Sequence, residues 1–171
     1  MTGYVALLRA VNVGGTGKLP MSLLTKLCKE AGLTDVRTYI ASGNVVFRSN
    51  QTEPEIRLAL EDQLHAYAGK SIGVLMRTAG EIADVLARNP FAGAPGNRVM
   101  ALFVDGRLPA DPLDGVTGAK DEQIRLGKRE LFVLYPSGMA ATRLRIPSEK
   151  IGTARNMNTL AKLAEMAVAF A

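Results

Sequence analysis

The alternation of apolar and polar residues predicts a buried strand and an amphipathic helix at the start of the chain. Residues 4–13 are apolar on both faces apart from Arg9 and Asn12, which is typical of a central strand covered on both sides. Apolar residues then recur at helical spacing. Pro20 suits the first turn of this helix and Gly32 its end.

A hairpin, a second helix and a fourth strand follow. Residues 36–42 and 45–49 are predicted strands joined at Gly43-Asn44, a two-residue hairpin signal. Thr52 and Glu55 form a capping box that begins a helix, and its predicted buried stripe is Ile56, Leu60, Leu64 and Tyr67. With a short strand at 72–77, the order is strand, helix, strand, strand, helix, strand, which is typical of a ferredoxin-like sheet.

The second half has a less regular pattern. Thr78 and Glu81 form another capping box, residues 99–104 read as a strand, and 124–126 with 131–135 as a hairpin. A last helix is expected from about Thr153, with an inward stripe at Met157, Leu160, Leu163, Ala164, Ala167 and Val168.

The predicted fold class is therefore α+β. We expect a ferredoxin-like βαββαβ half at residues 1–78 and a second, packed α+β half at 79–171 that ends in a C-terminal helix. Both halves combine a strand hairpin with helices, so a diverged structural duplication is one interpretation.

Composition narrows the class of protein. Apolar residues make up 47% of the 171 residues, enough for a packed core. No apolar run reaches the roughly 18 residues of a membrane helix, and the N-terminus has no pattern of a cleavable signal. A single cysteine, Cys28, excludes an intramolecular disulfide. These features favour a cytoplasmic protein with no membrane partner.

The formal charge of +5 is concentrated near the C-terminus, where residues 120–171 hold 9 basic and 5 acidic side chains. Such a basic surface attracts nucleic acid, nucleotides or other anions, although a solvated charged face is the simpler interpretation. Tryptophan is absent and aromatic residues make up only 5% of the chain. That composition weakens the case for a protein that stacks the bases of single strands.

Two candidate sites lie near the N-terminus. The Gly-rich segment 14–18 joins a strand to a helix, where backbone amides can hold an anion. It is not a P-loop, because Asn12 stands in place of the first Gly and Leu19 in place of Ser or Thr. Arg9, inside an apolar strand, is either part of a structural ion pair or a cation at the bottom of a cleft, with Asn12 nearer the rim.

Two further candidates lie later in the chain. Ser42-Gly43-Asn44 is either simple turn chemistry or a point where Ser42 or Asn44 hydrogen-bonds a ligand. The segment TARNMN at 153–158 places more polar residues in the first turn of the expected helix than one cap requires. His65 is expected on a helix surface and Cys28 in the core, so standard nucleophilic and zinc sites are not indicated.

Three segments in combination carry a family resemblance: LLRAVNVGGTGKLPM at 7–21, YIASGNVVF at 39–47 and TARNMNTLAKL at 153–163. The chain resembles the bacterial family named as domain of unknown function 1697. The resemblance implies an α+β fold with ferredoxin-like elements and no established activity. It marks Arg9, Asn12, Gly14, Gly15, Lys18, Pro20, Ser42, Gly43, Asn44, Thr153, Arg155, Asn156 and Asn158. Two departures are Ala10, where the family usually has Gly, and Met157, where Trp is common.

If these segments share one cleft, it holds three cations, helix-end amides and several amide side chains, but no His, Cys or paired carboxylates. Such a set suits holding a phosphate or carboxylate. We therefore expect a binding protein for an anionic, phosphorylated or nucleotide-like ligand or for nucleic acid, without a cofactor or metal. The expected ligand-binding residues are Arg9, Asn12, Gly14, Gly15, Lys18, Ser42, Asn44, Arg155, Asn156 and Asn158. Two alternatives are an enzyme acting on a small anionic substrate and a protein-interaction or oligomerisation module.

Overall fold

The computed structural model describes residues 1–11 and 18–170. Over these residues the chain forms two antiparallel four-stranded sheets and four α-helices, which confirms the α+β class. The chain divides into two compact units, residues 1–82 with 163–171 and residues 83–162. The division after residue 78 that the sequence suggested stays a prediction.

The first unit contains the first sheet, whose strand order is β2-β3-β1-β4 with every neighbouring pair antiparallel. The elements follow one another in the predicted order of strand, helix, strand, strand, helix, strand. The ferredoxin-like designation itself stays a prediction. The bounds of the elements are β1 Thr2–Leu8, α1 Met21–Glu30, β2 Thr34–Tyr39, β3 Asn44–Ser49, α2 Glu53–Ala68 and β4 Val74–Thr78.

Both helices of the first unit cover one face of its sheet. Their apolar stripes pack on Tyr4, Ala6, Leu8, Val45, Phe47, Val74 and Met76. The capping box predicted for α2 is present, since Thr52 N–H donates to Glu55 at 2.8 Å and Glu55 N–H donates to the Thr52 hydroxyl at 3.4 Å. Tyr67 was wrongly placed in the buried stripe, because it lies in the last turn of α2 and is 47% exposed.

Two element boundaries in the first unit differ from the prediction. Strand β1 ends at Leu8 rather than at residue 13, because Ala10 has a φ of 51°, which breaks the extended conformation. The hairpin loop spans residues 40–43 rather than Gly43-Asn44, because Tyr39 pairs with Asn44. Asn44 is therefore the first residue of β3 and not a turn residue.

The second unit contains the second sheet, with strand order β6-β7-β5-β8 and antiparallel pairs throughout. The predicted strand at 99–104 and the predicted hairpin are confirmed. A boundary between the units falls inside α3 and another inside α4. The bounds are α3 Ala79–Ala87, β5 Val99–Val104, β6 Gln123–Leu126, β7 Glu130–Leu134, β8 Gly152–Asn156 and α4 Met157–Val168.

The expectation of a helix from Thr153 was wrong. Residues 152–156 form β8, and the helix begins at Met157. The segment is extended because it pairs with β5 along its whole length, from Val104 opposite Gly152 to Met100 opposite Asn156. Within α4 the inward stripe is largely confirmed, but Val168 is exposed.

Candidate functional site

Arg9 lies at the carboxyl end of β1 and is half-buried. Its backbone N–H donates to the carbonyl of Gly73 at 2.9 Å. A Cβ added at Gly73 would come within 3.0 Å of the Arg9 Cδ, so the aliphatic stem of Arg9 packs closely on the backbone of Gly73. The structure therefore gives this arginine a defined place at the end of the sheet.

The hairpin loop 40–43 lies at the same end of the sheet. The Leu8 N–H donates to the Gly43 carbonyl at 2.9 Å. Gly43 has a φ of 87°, and a side chain there would come within 2.7 Å of Val11, so both the conformation and the space require glycine. The structure thus places the Ser42-Gly43-Asn44 segment beside the end of β1 that precedes Arg9.

Asn44 has a structural part in this loop. It is fully buried, and its side-chain amide donates to the Tyr39 carbonyl and to the Ser42 hydroxyl, each at 2.9 Å. These bonds hold the loop against the start of β3. A direct contact of Asn44 or Ser42 with a ligand stays a prediction.

Lys18 is exposed just before α1. Its backbone carbonyl accepts a hydrogen bond from the Tyr67 hydroxyl at 3.4 Å. Tyr67 belongs to the last turn of α2, and the chain beyond it reaches Gly73, the residue against Arg9. Lys18 and Tyr67 therefore lie at the same end of the first sheet as Arg9. The predicted ligand-binding residues Asn12, Gly14 and Gly15 lie outside the described residues.

Backbone strain is concentrated at this end. Ala10, next to Arg9, has a φ of 51°, and Ile40, the first residue of the hairpin loop, has a φ of 52°. The left-handed region is uncommon for alanine and an outlier for a β-branched residue. Ala10 stands where the family resemblance implies Gly, and the positive φ supplies the physical reason for that Gly.

Arg155 lies on β8 rather than in a helix turn, and it is 6% exposed. Its guanidinium donates to the Thr153 hydroxyl at 2.7 Å and to the Ala154 carbonyl at 3.0 Å. Burial lowers the pKa of Arg155 to about 10, so the side chain remains protonated at neutral pH. The second unit thus holds a buried positive charge on β8, an edge strand of its sheet.

The asparagines after Arg155 have different surroundings. Asn156 caps α4, since its side-chain oxygen accepts from the Thr159 N–H at 2.8 Å. The Asn158 side chain lies against Gly96, where an added Cβ would collide with its amide oxygen. Met157, which stands where Trp is common in the resembling family, is buried. Its side chain therefore serves packing in this chain.

The seven expected site residues that lie within the described residues belong to two sets. Arg9, Lys18, Ser42 and Asn44 lie in the first unit, and Arg155, Asn156 and Asn158 lie in the second. A single cleft shared by both sets stays a prediction. Tyr67 is the residue that sequence reasoning missed: helical spacing placed it in the stripe, whereas its position in the last turn could have indicated an exposed side chain.

Other reactive groups do not add to the site. Cys28 is buried in the core, and burial raises the pKa of its thiol to about 12. Over residues 1–11 and 18–170, no group of three His, Cys, Asp or Glu side chains is placed to hold a metal ion. Over the same residues, no helix combines the length and the apolar character needed to cross a membrane.

Comparison with known proteins identifies the family. No curated protein matches the chain. A solved structure of a conserved bacterial protein from Streptococcus pneumoniae is similar, with a TM-score of 0.80, 25% sequence identity, and coverage of 97% of this chain and 98% of that one. The family model described as protein of unknown function (DUF1697) matches residues 1–132 of the 171. The chain therefore belongs to the DUF1697 family.

Proposed function

We propose that the protein binds a small phosphorylated, nucleotide-like anion at the end of the first sheet that carries Arg9. The observation that carries the proposal is the grouping at this end of two cations, Arg9 and Lys18, with an exposed aromatic ring, Tyr67. A site for a nucleotide needs both features, because phosphate requires positive charge and a base requires a flat apolar surface.

Arg9 suits the phosphate. A guanidinium binds phosphate oxygens with two parallel N–H bonds, and it stays charged when half-buried. The stem of Arg9 is held against Gly73, so little side-chain entropy is lost when the ligand binds. Lys18, exposed on the other side of the connection to α1, adds a second positive charge.

Tyr67 suits the base. Its hydroxyl is held by the Lys18 carbonyl, while 47% of the residue remains exposed. Stacking of a base on such a ring is worth about 1–3 kcal/mol and depends little on which base is present. The hydrogen bond joins the ring to the backbone of Lys18, so the ring lies close to the residue that carries the second positive charge.

Two strained residues at the same end of the sheet as Arg9 support a functional part for this end. Ala10 and Ile40 adopt conformations that cost on the order of 1 kcal/mol or more each, and such strain is concentrated at binding and catalytic sites. In the described part of the first unit, the other non-glycine residue with positive φ is Asp35, near the opposite end of β2.

Isothermal titration against inorganic phosphate, ribose 5-phosphate, AMP and ATP tests the proposal. Lys18→Ala and Tyr67→Leu should each weaken the nucleotide about tenfold, since a charged hydrogen bond or a stacked base contributes about 1.4 kcal/mol or more. Arg9→Ala should weaken all phosphates by more than that. Lys29→Ala is the matched control, because it removes an exposed lysine from the last turn of α1 and should change nothing.

The titrations distinguish a nucleotide from a simple sugar phosphate and from nucleic acid. Tyr67→Leu should spare ribose 5-phosphate, which has no base. Binding of oligonucleotides alone, with affinity that falls steeply with salt, would replace the small ligand by nucleic acid. Absence of binding to every phosphate at low salt, or affinities equal in the Lys18, Tyr67 and Lys29 variants, would overturn the proposal.

A further inference from the structure

The second unit contains a pocket that is separate from the Arg9 end and does not depend on its function. The pocket has a volume of about 310 Å³ and lies on one face of the second sheet. Its apolar lining comes from the strands and from the covering segment 136–151, chiefly Met100, Leu102, Val133, Ala154, Leu144 and Ile146. Pockets of this size and apolar character are typical of small-molecule sites.

The pocket exists because irregular chain covers this face. In the first sheet, α1 and α2 fill the corresponding face with buried side chains such as Leu24, Leu27 and Leu60. In the second sheet, the connections from β5 to β6 and from β7 to β8 contain no α-helix, and Leu144 and Ile146 supply the covering side chains. Loops pack less completely than two helices, and the remaining space is the pocket.

Tyr135 supplies the feature that indicates a ligand. It lines the pocket and is 6% exposed, yet its hydroxyl makes no hydrogen bond to any residue that the structure describes. The hydroxyl is therefore open to the pocket rather than sealed in the core, and it can exchange hydrogen bonds with a molecule bound there. The Glu149 carboxylate, which also lines the pocket, lies near enough to help raise the pKa of Tyr135.

The charges at the pocket have opposite signs. Arg145 and Glu149 both line it and both are exposed, so they lie where the pocket meets solvent. The Arg145 guanidinium donates to the Leu144 carbonyl at 3.2 Å, and it forms no ion pair with Glu149. A ligand that matches these groups has an apolar body, a carboxylate for Arg145 and an ammonium for Glu149 and the Tyr135 oxygen.

We propose that this pocket binds a free amino acid with a large apolar side chain, such as leucine or phenylalanine. The side chain packs on Met100, Leu102 and Val133. The carboxylate accepts from Arg145. The ammonium donates to Glu149 and to the hydroxyl oxygen of Tyr135. About 310 Å³ accommodates a molecule of this size, whereas it is small for a nucleotide or a long acyl chain.

Titration calorimetry and thermal shift of the full chain test the proposal with leucine, phenylalanine, glycine, glutamate and lysine as probes. Leucine or phenylalanine should bind and raise the melting temperature, and the other three should not. N-acetylphenylalanine and phenylalanine amide each lack one charge, so each should bind at least tenfold more weakly than phenylalanine.

Variants of the lining assign the site. Tyr135→Phe removes a hydroxyl that bonds no residue in the described part of the chain, so it should leave the fold intact and weaken binding about fivefold or more. Arg145→Ala should weaken it at least tenfold, while Arg143→Ala, an exposed arginine two residues away that does not line this pocket, is the matched control. Ala154→Leu should fill the pocket and abolish binding, with circular dichroism to verify the fold.

Three results would overturn the proposal that the pocket binds an amino acid. It fails if neither leucine nor phenylalanine binds at millimolar concentration. It also fails if N-acetylphenylalanine binds as well as phenylalanine, or if Tyr135→Phe and Arg145→Ala bind like the unmodified chain. Loss of fold in Ala154→Leu does not affect these readings, because the Tyr135 and Arg145 variants decide between them.

Discussion

The two sheets have the same strand order but different coverings. In order along the chain, β5, β6, β7 and β8 occupy the places that β1, β2, β3 and β4 have in the first sheet, and every pairing is antiparallel in both. The first sheet is covered by two helices whose buried residues fill the face. The second is covered by irregular segments and contains a pocket. The strand order supports the interpretation of a diverged duplication.

At equivalent positions of the two sheets, different buried polar side chains hold the turn that precedes a strand. Asn44 and Glu130 are the first residues of β3 and β7, and both are buried polar side chains that bind the preceding turn. The neutral side-chain amide of Asn44 donates hydrogen bonds to the Tyr39 carbonyl and the Ser42 hydroxyl. Glu130 accepts from the backbone N–H of Lys128 and Arg129 and from the Arg88 guanidinium. The second unit thus depends on a buried charge where the first uses an amide.

The largest expected effect comes from that buried charge. Glu130→Ala should reduce the free energy of unfolding by about 3–5 kcal/mol, because it removes the buried acceptor of two backbone N–H groups and of the Arg88 guanidinium, which keeps Asp84 as a partner. The control is Glu61→Ala in α2, whose ion pair with Arg57 has a similar N···O distance, 2.6 Å against 2.7 Å, but is much more exposed. The control should cost less than about 1 kcal/mol. Equal losses in urea denaturation would contradict the role of burial.

A smaller effect should separate the coverings of the two sheets. Leu60→Ala, in the helix-covered face, should cost about 3 kcal/mol, because its fully buried side chain leaves a cavity that two helices cannot close. Leu144→Ala, in the segment over the second sheet, should cost about 1–2 kcal/mol, because Leu144 already borders a pocket. The midpoints of urea unfolding measure both losses of stability, provided that the slope m of each variant is unchanged. A larger loss for Leu144 would mean that its segment packs as tightly as a helix.

Backbone strain gives a third contrast. In residues 83–162 positive φ values occur at glycines, whereas the first unit has Ala10, Asp35 and Ile40 in the left-handed region. Ala10→Gly should therefore stabilise the protein by about 0.5–1 kcal/mol. Ala31→Gly, at a φ of −77° after α1, is the control and should destabilise by up to about 1 kcal/mol. A lower melting temperature for Ala10→Gly than for the unmodified chain would contradict backbone strain at Ala10.

The smallest effect concerns the pocket wall and is visible only in alkali. Burial, aided by Glu149 and Glu122, raises the pKa of Tyr135 to about 12 from an ordinary 10.0. Because the folded-state pKa is the higher one, this contribution to stability is complete below pH 10.0 and is lost as the pH rises towards 12. When tyrosinate absorbance is followed as the pH is raised, the Tyr135→Phe variant should lack the ionisation step nearest pH 12. Loss of a transition near pH 10.0 instead would contradict it.

Much of the fold could be predicted because its signals are local. The capping boxes at Thr52 and Thr78 join residues three positions apart, and both are present with the expected hydrogen bonds. The strand at 99–104 and the hairpin after it follow from alternation and turn residues. The place of Arg9 does not belong with them, because it was expected inside a strand over residues 4–13, whereas β1 ends at Leu8.

The site was predicted less completely, because its parts depend on distant segments. Tyr67 has the helical spacing of a buried residue, but it lies in the last turn of α2, is 47% exposed and donates its hydroxyl to the Lys18 carbonyl. Arg155 was expected in a helix turn, where a charged side chain would meet solvent. It is buried because β8 pairs with β5.

By itself the sequence determined the helices that have caps and continuous stripes, most of the strands, the α+β class and the basic character of the chain. Only the tertiary structure decided that residues 152–156 extend as β8, that Arg155 is buried and that Tyr135 lines a pocket of the second unit. The physical reason is range. Caps and helical spacing act over three or four residues, whereas strand pairing and burial join residues far apart in the chain, and these long-range contacts outweigh local propensity.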